Sequence, residues 1–110
     1  MILLLAAAAL QPAPAPVTPQ AALERANAGW QRCVIAAAGL GTFPDDSDDT
    51  IIRRAFRIDI CADWEQGIRT AFVAAHPEAT PEAVDAMIDQ LKQQIYPRLQ
   101  AEIRRARRIR

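Results

Sequence analysis

Two tryptophan–cysteine pairs, Trp30/Cys33 and Cys61/Trp64, mirror each other about a single point in the chain. Each lies on an apolar line with the 3-4 spacing of one helical face. The first line runs Leu23, Ala26, Trp30, Cys33, Val34, Ala37, and the second Cys61, Trp64, Ile68, Phe72, Ala75. A disulfide needs Cα atoms within about 7 Å, so a Cys33–Cys61 bridge would hold two antiparallel helices in one register. Ala26 then faces Ile68, and Leu23 faces Ala71. A tight hairpin would instead set Cys33 level with Ala55, so the second helix must overshoot the first by roughly one to two turns. Residues 41–46 would climb alongside it as an extended segment.

Whether the bridge forms depends on the compartment. Met1 to Leu10 reads MILLLAAAAL, which is too short to span a bilayer and has the form of the apolar core of a secretory signal peptide. Ala7 and Ala9 offer small residues for cleavage near Ala9 or Leu10. No Lys or Arg precedes the run, so either the signal is weak or the true start codon lies upstream. Residues 11–19, QPAPAPVTP, form an Ala/Pro-rich extended spacer. The reading is therefore an exported, periplasmic or secreted chain with a single helical domain over 20–110 and no membrane span after processing. In an oxidising compartment a lone cysteine pair reads as a disulfide. Closing that loop stabilises by about 3–4 kcal/mol. In a reducing compartment the two thiols would act as small buried hydrophobes.

Periodicity predicts an all-α, three-helix antiparallel bundle with one inter-helix disulfide. The first helix starts at Thr18-Pro19, a hydroxyl cap followed by proline at the first helical position, and is stopped by Gly39 and Gly41. The second begins after the acidic run Asp45, Asp46, Ser47, Asp48, Asp49, with Ser47 or a neighbouring Asp as cap, and ends at His76-Pro77. Its first half is apolar on more than one side (Ile51, Ile52, Phe56, Ile58, Ile60), which predicts cover from two neighbours. The third opens at Thr80-Pro81 and carries a long stripe through Val84, Ile88, Leu91, Ile95, Leu99 and Ile103. Pro97 lies inside that stripe and predicts a kink. A hairpin about Glu78 sets Cys61 level with Ile95, Phe56 with Gln100 and Ile52 with Arg104. The expected core is Trp30, Val34, Trp64, Ile68, Phe72, Ile88, Leu91 and Ile95. The length of the third helix leaves a homodimer open.

Formal charge is zero, with 13 basic and 13 acidic residues, which argues against a body built to hold nucleic acid. The charge is nevertheless segregated. From Asp45 to Asp89 there are eleven acids and four bases; from Lys92 to Arg110 there are seven bases and one acid. Arg104, Arg105, Arg107, Arg108 and Arg110 are the candidate anion- or partner-binding residues, since guanidinium forks grip phosphate and carboxylate. The competing expectation pairs this tail internally with Asp45–Asp49. The tail lacks stacking aromatics, which disfavours single-stranded nucleic acid.

The run DDSDD lacks the glycine and the closing Glu of a calcium loop, and Phe56 occupies the twelfth position. His76 is the only imidazole and has no nucleophile nearby in sequence. Asp59/Asp63 and Asp85/Asp89 share helix faces, but nothing places either pair in a pocket. No metal, cofactor or catalytic residue is expected. The function that follows is a small exported binding or structural protein, acting on an envelope protein or an anionic surface. The alternative is an acid-responsive envelope chaperone or an inhibitor of an envelope enzyme. Detachment of the tail would then expose Ile51, Ile52 and Phe56.

Overall fold

The computed structural model describes residues 17–109, and those residues contain helices and no strand. They form α1 (Pro19–Leu40), α2 (Asp48–Arg57), α3 (Asp59–Ala75) and α4 (Pro81–Ile109). The signal-like segment 1–10, spacer residues 11–16 and Arg110 lie outside the described residues. Pro19, the last residue of the expected spacer, is already helical.

Three of the four helix starts are set by side-chain caps. The amides of Ala21, Thr50 and Ala83 donate to the hydroxyls of Thr18, Ser47 and Thr80, each at 3.1 Å. Each cap satisfies one amide that a helix start leaves without a partner. Asp48 and Asp49 fill the first turn of α2, where the helix dipole favours carboxylates. The first helix runs through Gly39 and ends at Leu40, with the Gly41 amide donating to Ala37 O at 2.9 Å.

Cys33 and Cys61 are bridged, with Cα atoms 5.5 Å apart. The mirror register follows from that bridge. A Cβ placed on Gly67 would sit 3.7 Å from Ala26 Cβ, so the two helices approach closely at that level.

The expected second helix is two helices, which corrects the count from three to four. The chain breaks at Ile58, whose backbone is extended (φ −62°, ψ 132°). The cause is helical phase. At 3.6 residues per turn, Ile52 and Cys61 would lie about 180° apart on an unbroken helix. Both are fully buried in the same core. The break rotates the chain so that Ile51, Ile52 and Ala55 of α2 and Cys61 and Ile68 of α3 all point inward. A β-branched residue suits the extended link, and Asp59 then begins α3 favourably for its dipole. The two-sided apolarity therefore reflects two phases rather than one helix covered twice.

Along α3 and α4 the level register holds. Arg69 pairs with Asp85 at 2.7 Å, and Lys92 with Glu65 at 3.0 Å. Across α2 it shifts towards the turn: the Lys92 ammonium lies 5.3 Å from the Phe56 ring centre, where Gln100 was expected. Ile51, Ile52, Leu99 and Ile103 are buried in one core cluster. The fourth helix is continuous through Pro97.

Of the expected core, Trp30, Val34, Ile68, Ile88 and Ile95 are buried, while Phe72 and Leu91 are half-buried. Trp30 stacks on Phe56, with ring centres 6.0 Å apart. Trp64 departs from the expectation and is 37% exposed. It faces away from α4, on the open side of the α1/α3 pair.

The bridge closes a loop of sequence separation 28, so replacing Cys33 and Cys61 together by Ala should cost about 3–4 kcal/mol. Urea unfolding of the oxidised chain and the double variant measures this. An unchanged midpoint would mean that packing alone sets the register.

Candidate functional site

The exposed face of Trp64 belongs to an apolar groove of about 930 Å³ between α1 and α3. That size is typical of sites that take a ligand or a partner segment. From α1 come Pro19, Ala22, Arg25 and Ala26, on one helical face. From α3 come Ile60, Asp63, Trp64, Gly67, Ala71 and Ala74. Small residues make the floor, because the bridge brings the two helices too close for large ones.

Trp64 owes its position to Gly29. A Cβ on Gly29 would lie 2.5 Å from Trp64 Cζ3, inside any real contact distance. The indole therefore lies against the α1 backbone and leaves part of its surface in water. Val17 continues the apolar lining at the far end of the groove. It precedes the capping Thr18, with Ala22 at the matching position one turn into the helix, in the arrangement of a hydrophobic staple.

The second candidate, the basic end of α4, is divided among separate duties. Arg107 clamps the α1–α2 loop. It donates to Phe43 O at 3.3 Å, to Asp46 O at 2.8 Å and to Asp48 Oδ1 at 3.2 Å. Two of those three acceptors are backbone carbonyls, which do not titrate. Arg105 pairs with Glu102 on its own helix. That hydrogen bond holds the Glu102 carboxyl below its usual range and raises the Arg105 guanidinium. Arg104 and Arg108 are exposed and make no ion pair among the described residues. Arg110 lies outside them. The four described arginines are thus not gathered into one anion site.

Asp46, Asp48 and Asp49 of the acidic run have side-chain partners within the chain. Asp46 holds Arg54 at 3.0 Å, and Asp49 holds Arg53 at 2.7 Å. The Tyr96 hydroxyl donates to Asp49 at 2.8 Å. That bond, together with burial and the Asp49 charge, raises the phenol above its ordinary value. No group of His, Cys, Asp and Glu among the described residues could hold a metal ion. His76 is exposed, 4.8 Å from the Phe72 ring centre and 3.8 Å from Glu78. Asp85 is engaged by Arg69, and Asp59, Asp63 and Asp89 are exposed.

Sequence reasoning placed Arg107 beside the acidic loop and missed the groove. The available signal was the surplus apolar face of the second helix, where Ile60 and Trp64 share a side with Gly67, Ala71 and Ala74. Comparison with protein families, curated proteins and solved structures gives no match.

Two outcomes follow. Gly29→Ala should displace the Trp64 ring and change tryptophan emission. Stability should move by less than about 1 kcal/mol, because the gain in helix propensity offsets the lost packing. An unaltered spectrum would contradict the close seat. Tyr96 is the only tyrosine, so phenolate absorbance reports it alone. Its midpoint should lie above 10.0 in the native chain and fall back in Asp49→Ala. A raised folded pKa stabilises below the unfolded pKa and is lost as pH rises through the folded one. The Tyr96 contribution should accordingly disappear only in alkali.

Proposed function

We propose that this chain is an exported, periplasmic helical protein that works by binding or by structural contact rather than by catalysis. Its contact surface is the α1/α3 groove. The observation that carries this reading is Trp64, a large aromatic held part-exposed at the mouth of an apolar groove by a glycine in the facing helix. Aromatic side chains in such positions are the anchors of protein contact surfaces. The Cys33–Cys61 bridge supports an oxidising compartment. No described helix is long and apolar enough to cross a membrane.

The acid-responsive alternative has less to draw on. Two of the three acceptors that hold Arg107 are backbone carbonyls, which acid leaves unchanged. Arg104 and Arg108 remain available to an anionic surface, as a secondary contact.

The test expresses the chain with its native N-terminus, fractionates the cells and alkylates without reductant. A photo-crosslinking residue at Gln66, in the groove, reports contacts in the same cells. The expected result is a periplasmic product that resists alkylation and crosslinks through Gln66, with the crosslink lost in Trp64→Ala. A cytoplasmic product with two reactive thiols would overturn the compartment. A Gln66 probe that crosslinks to nothing would overturn the groove as contact surface.

A further inference from the structure

On its groove side α3 carries Ile60, Trp64, Gly67, Ala71 and Ala74. Their spacing alternates between four and three, the pattern of a coiled-coil seam. The seam is graded in size. Its N-terminal end is bulky and exposed, with Ile60 62% and Trp64 37% accessible. From Gly67 onward it is small.

A graded seam is complementary to its own antiparallel copy. Placing Trp64 on Gly67 of a second copy also places Ile60 on Ala71 of that copy, since both pairs centre between Glu65 and Gln66. A twofold axis at that point gives each contact twice, as an isologous interface requires. Bulky residues then meet small ones throughout. A parallel copy would instead set Trp64 against Trp64 and leave the small end unfilled.

The charges agree with the same alignment. Arg25 and Asp63 both line the groove, both are exposed, and neither makes an ion pair among the described residues. In the register of the bridge, Arg25 stands level with Arg69. Asp63 of the second copy falls level with Ile68, one residue away, or about 1.5 Å along the axis. Two unpaired charges of opposite sign thus come to the same height in the same copy-to-copy alignment that fits the side-chain sizes.

We propose that the α1/α3 groove is the interface of an antiparallel homodimer, with Trp64 of each copy on Gly67 of the other and Arg25 of each facing Asp63 of the other. The proposal rests on the reading of the groove as the contact surface and names its occupant. Burial of Ile60 and Trp64 supplies the affinity, and the charge pairs select the antiparallel alignment. The seam covers one face of a single helix, so the dimer belongs to the weak class of interfaces.

Sedimentation equilibrium of the oxidised, processed chain up to millimolar concentration tests it. A reversible dimer is expected. Gly67→Leu, which fills the hole, should weaken it by about tenfold or more. Arg25→Asp and Asp63→Arg should each weaken it, and the double reversal should restore it, a coupling that separate effects do not produce. Both charged residues are exposed, so these variants fold even if Gly67→Leu does not; helical circular dichroism checks this. A monomer at all concentrations, or a dimer indifferent to the charge variants, overturns the proposal. The Gln66 probe separates the two levels. Adducts only with a different protein would overturn the homodimer and leave the groove as a contact surface. No adduct at all would overturn both.

Discussion

The Cys33–Cys61 bridge is the constraint on which the rest of the arrangement depends. It ties the middle of α1 to the start of α3 and so decides which residues of the two helices stand level. Ala26 and Gly67 become neighbours, and only small residues fit there. Gly29 comes under the Trp64 ring for the same reason. A groove floored with alanine and glycine is the geometric result of cross-linking two helices at close range. In a chain of this size a core alone is marginal, and the bridge offsets part of the ordering entropy before any apolar contact is counted.

The bridge also explains why the chain must break at Ile58. Cys61 has to point at α1, while Ile51 and Ile52 have to reach the core that also holds Leu99 and Ile103. One straight helix cannot satisfy both demands, because its two apolar arcs lie on opposite sides. A single extended residue resolves the conflict. It opens the intrahelical ladder over one turn, a modest loss beside the roughly 1.5–3 kcal/mol from burying each large apolar side chain. With α2 free to take its own direction, its acidic N-terminus comes within reach of both Tyr96 and Arg107. The loop clamp and the phenol–carboxylate bond thus follow from the same break.

Much of this was legible in the sequence wherever the cause is local or periodic. The Thr-Pro starts and Ser47 cap their helices because a hydroxyl one residue ahead of a helix meets its free amides whatever the rest of the fold does. The mirrored Trp and Cys positions carried the register, and through it the meeting of Arg107 with the acidic loop. The break at Ile58 was hidden because neither glycine nor proline marks it. Its only trace was the apolar surplus of that stretch, which supports a double-covered helix equally well. Trp64 lies outside the core that its periodicity predicts, for a different reason. It does share the cysteine line, but burial depends on which side of the α1/α3 pair α4 occupies, and nothing local in the sequence reports that choice. The division of the arginine cluster was equally invisible, since Glu102 and the loop carbonyls compete for it only in three dimensions.

The side that α4 leaves open is the part of the molecule that packing within the chain does not account for. Burying the remaining apolar surface of Ile60 and Trp64 would add to stability, yet Ile60 stays 62% and Trp64 37% accessible, one residue and three residues from a fully buried Cys61. Two polar residues there would serve a simple bundle equally well and would remove an apolar patch that invites association. Gly67 sharpens the point. A Cβ there meets only ordinary contact distance, so alanine would fit the fold and strengthen the helix. The glycine is therefore not required by the packing of α1 on α3, and what it preserves is depth on the outer face. Exposed bulk beside preserved depth on one helix face is the pattern of a surface shaped to be covered, and the unpaired Arg25 and Asp63 on its two banks give the cover a direction.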